Sequence, residues 1–255
     1  ERCAPGDRRL DGATFTDVKP FVDEAVALGV ERFSITGGEP FVAKDIVRIL
    51  DYALAARPCQ VLTNGTRPLQ ARWREVLLLV EKPHPLSFRV SLDFADREKH
   101  DAKRGAGMFE LALETLGALR RSGFHVSVAR RRETDEDTPS VDAAFQTIFA
   151  SVGLPRDTPV IAFPDLKPAD TPEITETCMR NHHTAETCAR FMCAFSRMVV
   201  KQQGQMRVYA CTLVDDHPHY NLGASLMEAA GVRVTLGHPR CFACFASGAS
   251  CSELQ

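Results

Sequence analysis

The chain has 255 residues, of which 44% are apolar and 25% charged, with a formal net charge of -2. That length supports one large domain, or one of about 150 to 200 residues beside a smaller one, and the charge balance gives no reason to expect nucleic acid as a partner. No apolar run reaches the roughly 18 residues of a membrane span and no basic-then-apolar leader is present, so a cytoplasmic setting without a membrane partner is expected.

The chain opens on Glu1-Arg2-Cys3 rather than Met, inside a polar stretch, which suggests a sequence cut upstream. A helix is predicted over Asp17–Leu28, with Phe21, Ala25 and Leu28 on one face, followed by a strand at Arg32–Thr36. Then come a helix over Lys44–Ala56, a strand at Gln60–Thr63, a helix over Leu69–Val80 and a strand at Ser87–Leu92. A helix over Phe109–Arg121, carrying Leu113, Leu116 and Leu119, precedes a strand at His125–Arg130. A helix over Val141–Val152 and a strand at Pro159–Phe163 close the series. The strands recur roughly every 27 to 38 residues, the size of one βα unit. Five units are too few for a closed eight-stranded barrel of about 250 residues. The expected fold is therefore α/β, a partial (β/α)6-type TIM-like barrel over residues 1–165 that lacks its first strand.

Residues 166–255 differ in texture and are expected to form a second, small domain. Lys167–Thr187 is rich in Pro, Thr and Glu and reads as an irregular linker. Ser196–Lys201 and Gln205–Cys211 read as strands of a β-hairpin joined at Gln202-Gln203-Gly204. The remainder can hardly build a core unaided, and a metal is the expected staple. Seven of the nine cysteines lie here, at 178, 188, 193, 211, 241, 244 and 251. In a cytosolic chain such clustering points to metal ligands rather than disulfides. Cys241 and Cys244 form CxxC with Cys251 six residues beyond, and Cys193 and Cys211 flank the hairpin. Thiolates at this spacing suit zinc or iron–sulfur alike; Cys178, Cys193, Cys211, Cys241, Cys244 and Cys251 are the candidate ligands, and Cys188 is left aside as an equally good helix-face residue. His182, His183, His217, His219 and His238 are expected to be solvated loop residues, and Asp215-Asp216 a polar turn.

The second candidate site lies along the strand ends. Thr36-Gly37-Gly38-Glu39-Pro40 follows a strand: its glycines allow close approach to the backbone, and its carboxylate can take an ammonium group. Alone it could equally be a tight turn. Thr63-Asn64-Gly65, Ser91 with Asp93, and Arg130 end the next three strands, however, and that rim is where α/β sheets bind ligands.

With these residues placed, the chain resembles the radical S-adenosylmethionine (SAM) superfamily over about residues 10–165, Gly37-Gly38-Glu39-Pro40 being similar to its GGEP motif. The resemblance implies that Gly37, Gly38, Glu39 and Pro40 meet the amino group of the cofactor's methionine part. It places Thr63 and Asn64 at the next strand, Ser91 and Asp93 at the ribose and Arg130 at the carboxylate. It also implies a [4Fe-4S] cluster on a CxxxCxxC loop ahead of the GGEP strand. That spacing does not occur here, and Cys3 stands alone, so the chain as written is expected to be unable to cleave SAM. The late cysteines are similar to SPASM and twitch domains, which implies an auxiliary [4Fe-4S] cluster. The implied enzyme generates a 5'-deoxyadenosyl radical that abstracts hydrogen from a small-molecule or peptide substrate, served by an electron donor such as a flavodoxin or ferredoxin. The rivals are a zinc-stapled binding module and an ordinary barrel enzyme with structural cysteines.

Overall fold

The computed structural model describes residues 10–133, 135–163 and 174–246. The chain divides into two compact units, one holding Thr14–Ile161 and the other the residues from Ala162 onward with a short stretch around residues 10–13.

In the first unit, β1 (Phe33–Ile35), β2 (Cys59–Thr63), β3 (Leu86–Ser91) and β4 (His125–Arg131) lie in chain order. Each is parallel to the next, with Phe33 opposite Cys59, Val61 opposite Phe88, and Phe88 opposite Val126. β5 (Val160–Phe163) completes the five-stranded sheet. Parallel strands need crossovers. These are helices: α2 (Ile46–Leu54) links β1 to β2, α3 (Arg67–Ala71) and α4 (Trp73–Leu77) link β2 to β3, and α5 (Arg97–Arg104) and α6 (Met108–Arg121) link β3 to β4. α7 (Thr138–Ser151) leads to β5, and α1 (Phe15–Ala27) precedes β1 under a capping box of Thr14 and Asp17. The helices lay Leu50, Leu54, Leu116, Leu119 and Phe149 against Val61, Phe88, Val90 and Val128 of the strands. All nine of these residues in the α/β core, the strand residues included, are fully or almost fully buried.

The five strands fall where the apolar runs place them. Two helical predictions need correction. Leu69–Val80 is not one helix: Arg72 leaves helical geometry and donates through Nε to the Phe41 carbonyl (3.2 Å), so α3 ends, α4 begins and a 3-10 turn at Leu78–Glu81 follows. α5 was not foreseen, because Arg97–Arg104 has no apolar stripe; its one buried residue is His100.

The second unit contains the predicted hairpin, β6 (Met198–Gln202) and β7 (Gln205–Tyr209), antiparallel with Gln202 opposite Gln205. Its two-residue turn, Gln203-Gly204, has φ of 51° and 74°, the positive pair of a type I′ turn. Asp11 caps it by accepting the Gly204 N–H (2.7 Å). The expected linker is instead partly helical, with α8 (Glu176–His182) and α9 (Ala185–Ala189), each capped by a threonine. α10 (Met192–Phe195), α11 (Leu226–Ala230) and α12 (Pro239–Ala246) follow. A small apolar cluster of Val200, Tyr209, Ala210, Val214 and Tyr220 does form here, so this unit has a modest core of its own. Among the described residues, no helix is long and apolar enough to cross a membrane.

Candidate active site at the strand ends

Glu39 organises the rim. It is the N-cap of the 3-10 turn Pro40–Val42 and accepts the Phe41 N–H at 3.1 Å. Both its oxygens lie 2.9 Å from the Thr63 hydroxyl, and Oε2 accepts the Asn64 N–H at 2.7 Å. The Asn64 amide donates back to the Gly38 carbonyl (3.3 Å), so the loops after β1 and β2 are joined twice. Burial nevertheless pushes the Glu39 carboxyl above the ordinary carboxylate range, against those three donors. A cation arriving beside it would supply the missing counter-charge. Gly37 has φ of 151°, and a Cβ there would meet nothing within 4 Å, so its backbone faces open space. Gly65 has the opposite constraint: at φ of 67° an added Cβ would stand 2.8 Å from Val90 Cγ1.

Beyond β3 the rim continues through a residue that the sequence did not single out. Arg104, at the end of α5, donates to both oxygens of Asp93 (Nε 2.7 Å, Nη2 2.9 Å) and through Nη1 to Asn64 Oδ1 (2.8 Å). His100, one turn earlier, accepts the Asp93 N–H on Nδ1 at 3.1 Å. Ser91 closes β3 opposite Ala129 of β4. Gly38, Glu39, Thr63, Asn64 and Asp93 thus form one hydrogen-bonded chain, completed by Arg104.

Arg130 stands apart from that chain. Its guanidinium, 2% exposed, donates to the Glu136 carboxylate, 5% exposed, at 2.7 and 2.9 Å. A buried charge needs such a partner. Both terminal nitrogens of the cation expected at a ligand's carboxylate are therefore committed to Glu136, while its Nε, shielded from solvent, has no partner among the described residues. Glu136 and His100 were likewise missed. The legible signal was His100 and Arg104 four apart, on one face of any helix.

In the second unit Cys193, Cys211, Cys241 and Cys244 line one small cavity with Phe191, Val214 and Tyr220. Its free volume, about 30 Å³, has room for one or two waters. Burial raises the thiol pKa of Cys193 and of Cys241. Cys178 lies elsewhere, on α8, where the Thr175 hydroxyl lowers its pKa, and Cys188 is on α9. Cys3 and Cys251 lie outside the described residues. Among those residues, no three His, Cys, Asp or Glu side chains are arranged to hold a metal ion. The four-thiol donor set suits a soft metal; its present spacing does not grip one.

Comparison with known proteins decides the family, since the profile of the radical SAM superfamily matches residues 4–141, more than half of the chain. The chain belongs to the radical SAM superfamily. The mycofactocin maturase MftC of Mycolicibacterium smegmatis is 35% identical over 107 residues, which are 42% of this chain and 26% of that protein. The antilisterial bacteriocin subtilosin biosynthesis protein AlbA of Bacillus subtilis is 37% identical over 103 residues, covering 40% of this chain and 22% of its own length. The crystal structure of Streptococcus suis SuiB is similar in fold, with a TM-score of 0.52 and 14% identity over 66% of this chain and 37% of that one. The chain thus spans well under half the length of each relative. Radical SAM proteins use SAM and a [4Fe-4S] cluster. In this member the cradle of Gly37, Gly38 and Glu39 fits the cofactor's amino group, by the open backbone over Gly37 and the uncompensated carboxylate beside it.

Proposed function

We propose that this chain is the SAM-binding portion of a radical SAM enzyme that modifies a peptide. The observation that carries this is the half-buried Glu39 carboxylate, held by Phe41, Thr63 and Asn64 beside open glycine backbone at the sheet rim. Gly38 and Glu39 would receive the ammonium of the methionine part, Pro40 and Thr63 fixing Glu39. Ser91 and Asp93 would receive the ribose hydroxyls. When bound, SAM and the cluster supply a one-electron reductive cleavage and a carbon radical able to take a hydrogen atom from a substrate. The residues here bind and orient: the carboxylate stays deprotonated against a cation, and the Arg104 fork holds Asp93 in one plane. A peptide is the substrate class assigned, on the likeness to a maturase and to a bacteriocin biosynthesis protein.

The second unit, in this reading, is a SPASM-like or twitch-like auxiliary domain. Cys193, Cys211, Cys241 and Cys244 would be its metal ligands, with Cys178 and Cys251 as further candidates. Support comes from the four thiols around one cavity. An electron donor of flavodoxin or ferredoxin type completes the proposed system.

The test uses protein expressed from its complete reading frame and purified anaerobically. Reductant and SAM should release 5'-deoxyadenosine, and Glu39→Ala should weaken SAM binding about tenfold or more, the loss of one charge-assisted hydrogen bond. No product and no SAM binding in the wild type would end this reading.

A further inference from the structure

We propose that Arg104, one helical turn after His100, is a positioning residue that fixes Asp93 and Asn64 for the nucleoside end of SAM. This rests on Asp93 being the ribose-binding carboxylate. Arg104 joins the loops after β2 and β3, donating to Asn64 across 40 positions of sequence and to Asp93 across 11. The loops after β1 and β2 are already joined through Asn64 and Gly38. The methionine end and the nucleoside end of the proposed site are therefore tied together through Asn64 by one guanidinium.

The chemistry suits that role. A carboxylate has about four acceptor positions, and a fork donating one bond to each oxygen leaves the outer two for a pair of ribose hydroxyls. The same fork fixes the carboxylate plane, which a lysine, as a point charge, cannot do. Arg104 and Asp93 are 30% and 19% exposed, so this pair is better shielded than a solvated surface ion pair and carries a third bond to Asn64. His100 completes the grip from the same helix face. It is fully buried, its Nδ1 accepts the Asp93 N–H, and its Nε2 has no partner among the described residues. Acceptance at Nδ1 assigns the neutral tautomer with hydrogen on Nε2. The two ends of α5 are themselves secured: Asp96 caps its start, and Asp101 accepts from Gly107 and Phe109 where α6 begins.

The test measures binding of S-adenosylhomocysteine and of its analogue lacking both ribose hydroxyls, by calorimetry on the complete protein. The wild type should prefer the hydroxylated ligand by about tenfold or more, the worth of a hydrogen bond to a charged group. Arg104→Met should bring that ratio to within about twofold, Arg104→Lys should fall between, and Glu39→Gln should weaken both ligands while leaving the ratio intact. Because the readout is a ratio, partial loss of folded protein cancels, and Arg104→Lys serves if the Met variant does not fold. A wild-type ratio retained in Arg104→Met and Arg104→Lys would overturn the assignment. Failure of the wild type to bind either ligand would instead overturn the SAM-binding reading, and binding without discrimination would overturn the ribose role of Asp93 and Arg104 with it.

Discussion

Removing the Glu136 carboxylate should cost the first unit a large part of its stability. Arg130 donates two bonds to Glu136 and one to the Arg131 carbonyl at 3.2 Å, while Asp142, half exposed, is 3.9 Å away. Glu136→Ala leaves a guanidinium that is 2% exposed with one neutral acceptor and a distant carboxylate. Stranding one member of a buried pair costs about 3 to 5 kcal/mol. For a unit of this size that is a fall in Tm of roughly 6 to 20 °C. The chain holds two compact units, so a global signal would mix them. Trp73, the single tryptophan, packs against the first unit's core and reports that unit alone. Its fluorescence in guanidinium titrations is the assay. Replacing both partners, Arg130→Met with Glu136→Leu, should recover most of the loss, because no charge is then left stranded. The Arg130 hydrogen bonds hold the Glu136 carboxyl below its ordinary value of 4.5. A depressed folded pKa contributes stability above about 4.5 that is lost as pH falls through the folded value, so the gap between wild type and Glu136→Ala should narrow below pH 4.5. A loss under about 1 kcal/mol at pH 7, or a double variant as unstable as the single, would refute this account.

SAM affinity should depend on pH through Glu39: its pKa is raised by burial, so affinity falls as pH drops through a window above 4.5, and calorimetry on Glu39→Gln should show a weaker, flat profile. Gly65→Ala should destabilise the first unit by about 1 to 3 kcal/mol in the Trp73 assay, because the Cβ would stand 2.8 Å from Val90 in a left-handed backbone. If the auxiliary-cluster reading holds, anaerobically reconstituted protein should be brown, and Cys241→Ser with Cys244→Ser should lower its iron; a colourless zinc protein, or unchanged iron, would remove those ligands.

The parallel strands were legible because strands buried on both faces appear as apolar runs such as Val61, Phe88 and Val90. Glu39, Thr63 and Asn64 were legible as polar residues ending successive strands. Arg104 was legible only as standing four residues after His100; Arg97–Arg104 has no apolar stripe to announce a helix, and the importance of Arg104 comes from meeting Asp93 and Asn64 in space. Arg130 shows the converse. Its place at the end of β4 was readable, whereas the burial that binds it to Glu136 depends on packing that no local pattern encodes.

Cys59 sits in the core of the first unit, 1% exposed, its thiol pushed up to about 12 by burial. A thiolate is the species that alkylating reagents capture, and at neutral pH this one is withheld. Among the described cysteines, a maleimide dye would therefore mark the second unit and leave the first dark, with Cys178 reacting soonest because its neighbour Thr175 favours the anion. Among those described cysteines, labelling thus follows one unit without touching the other.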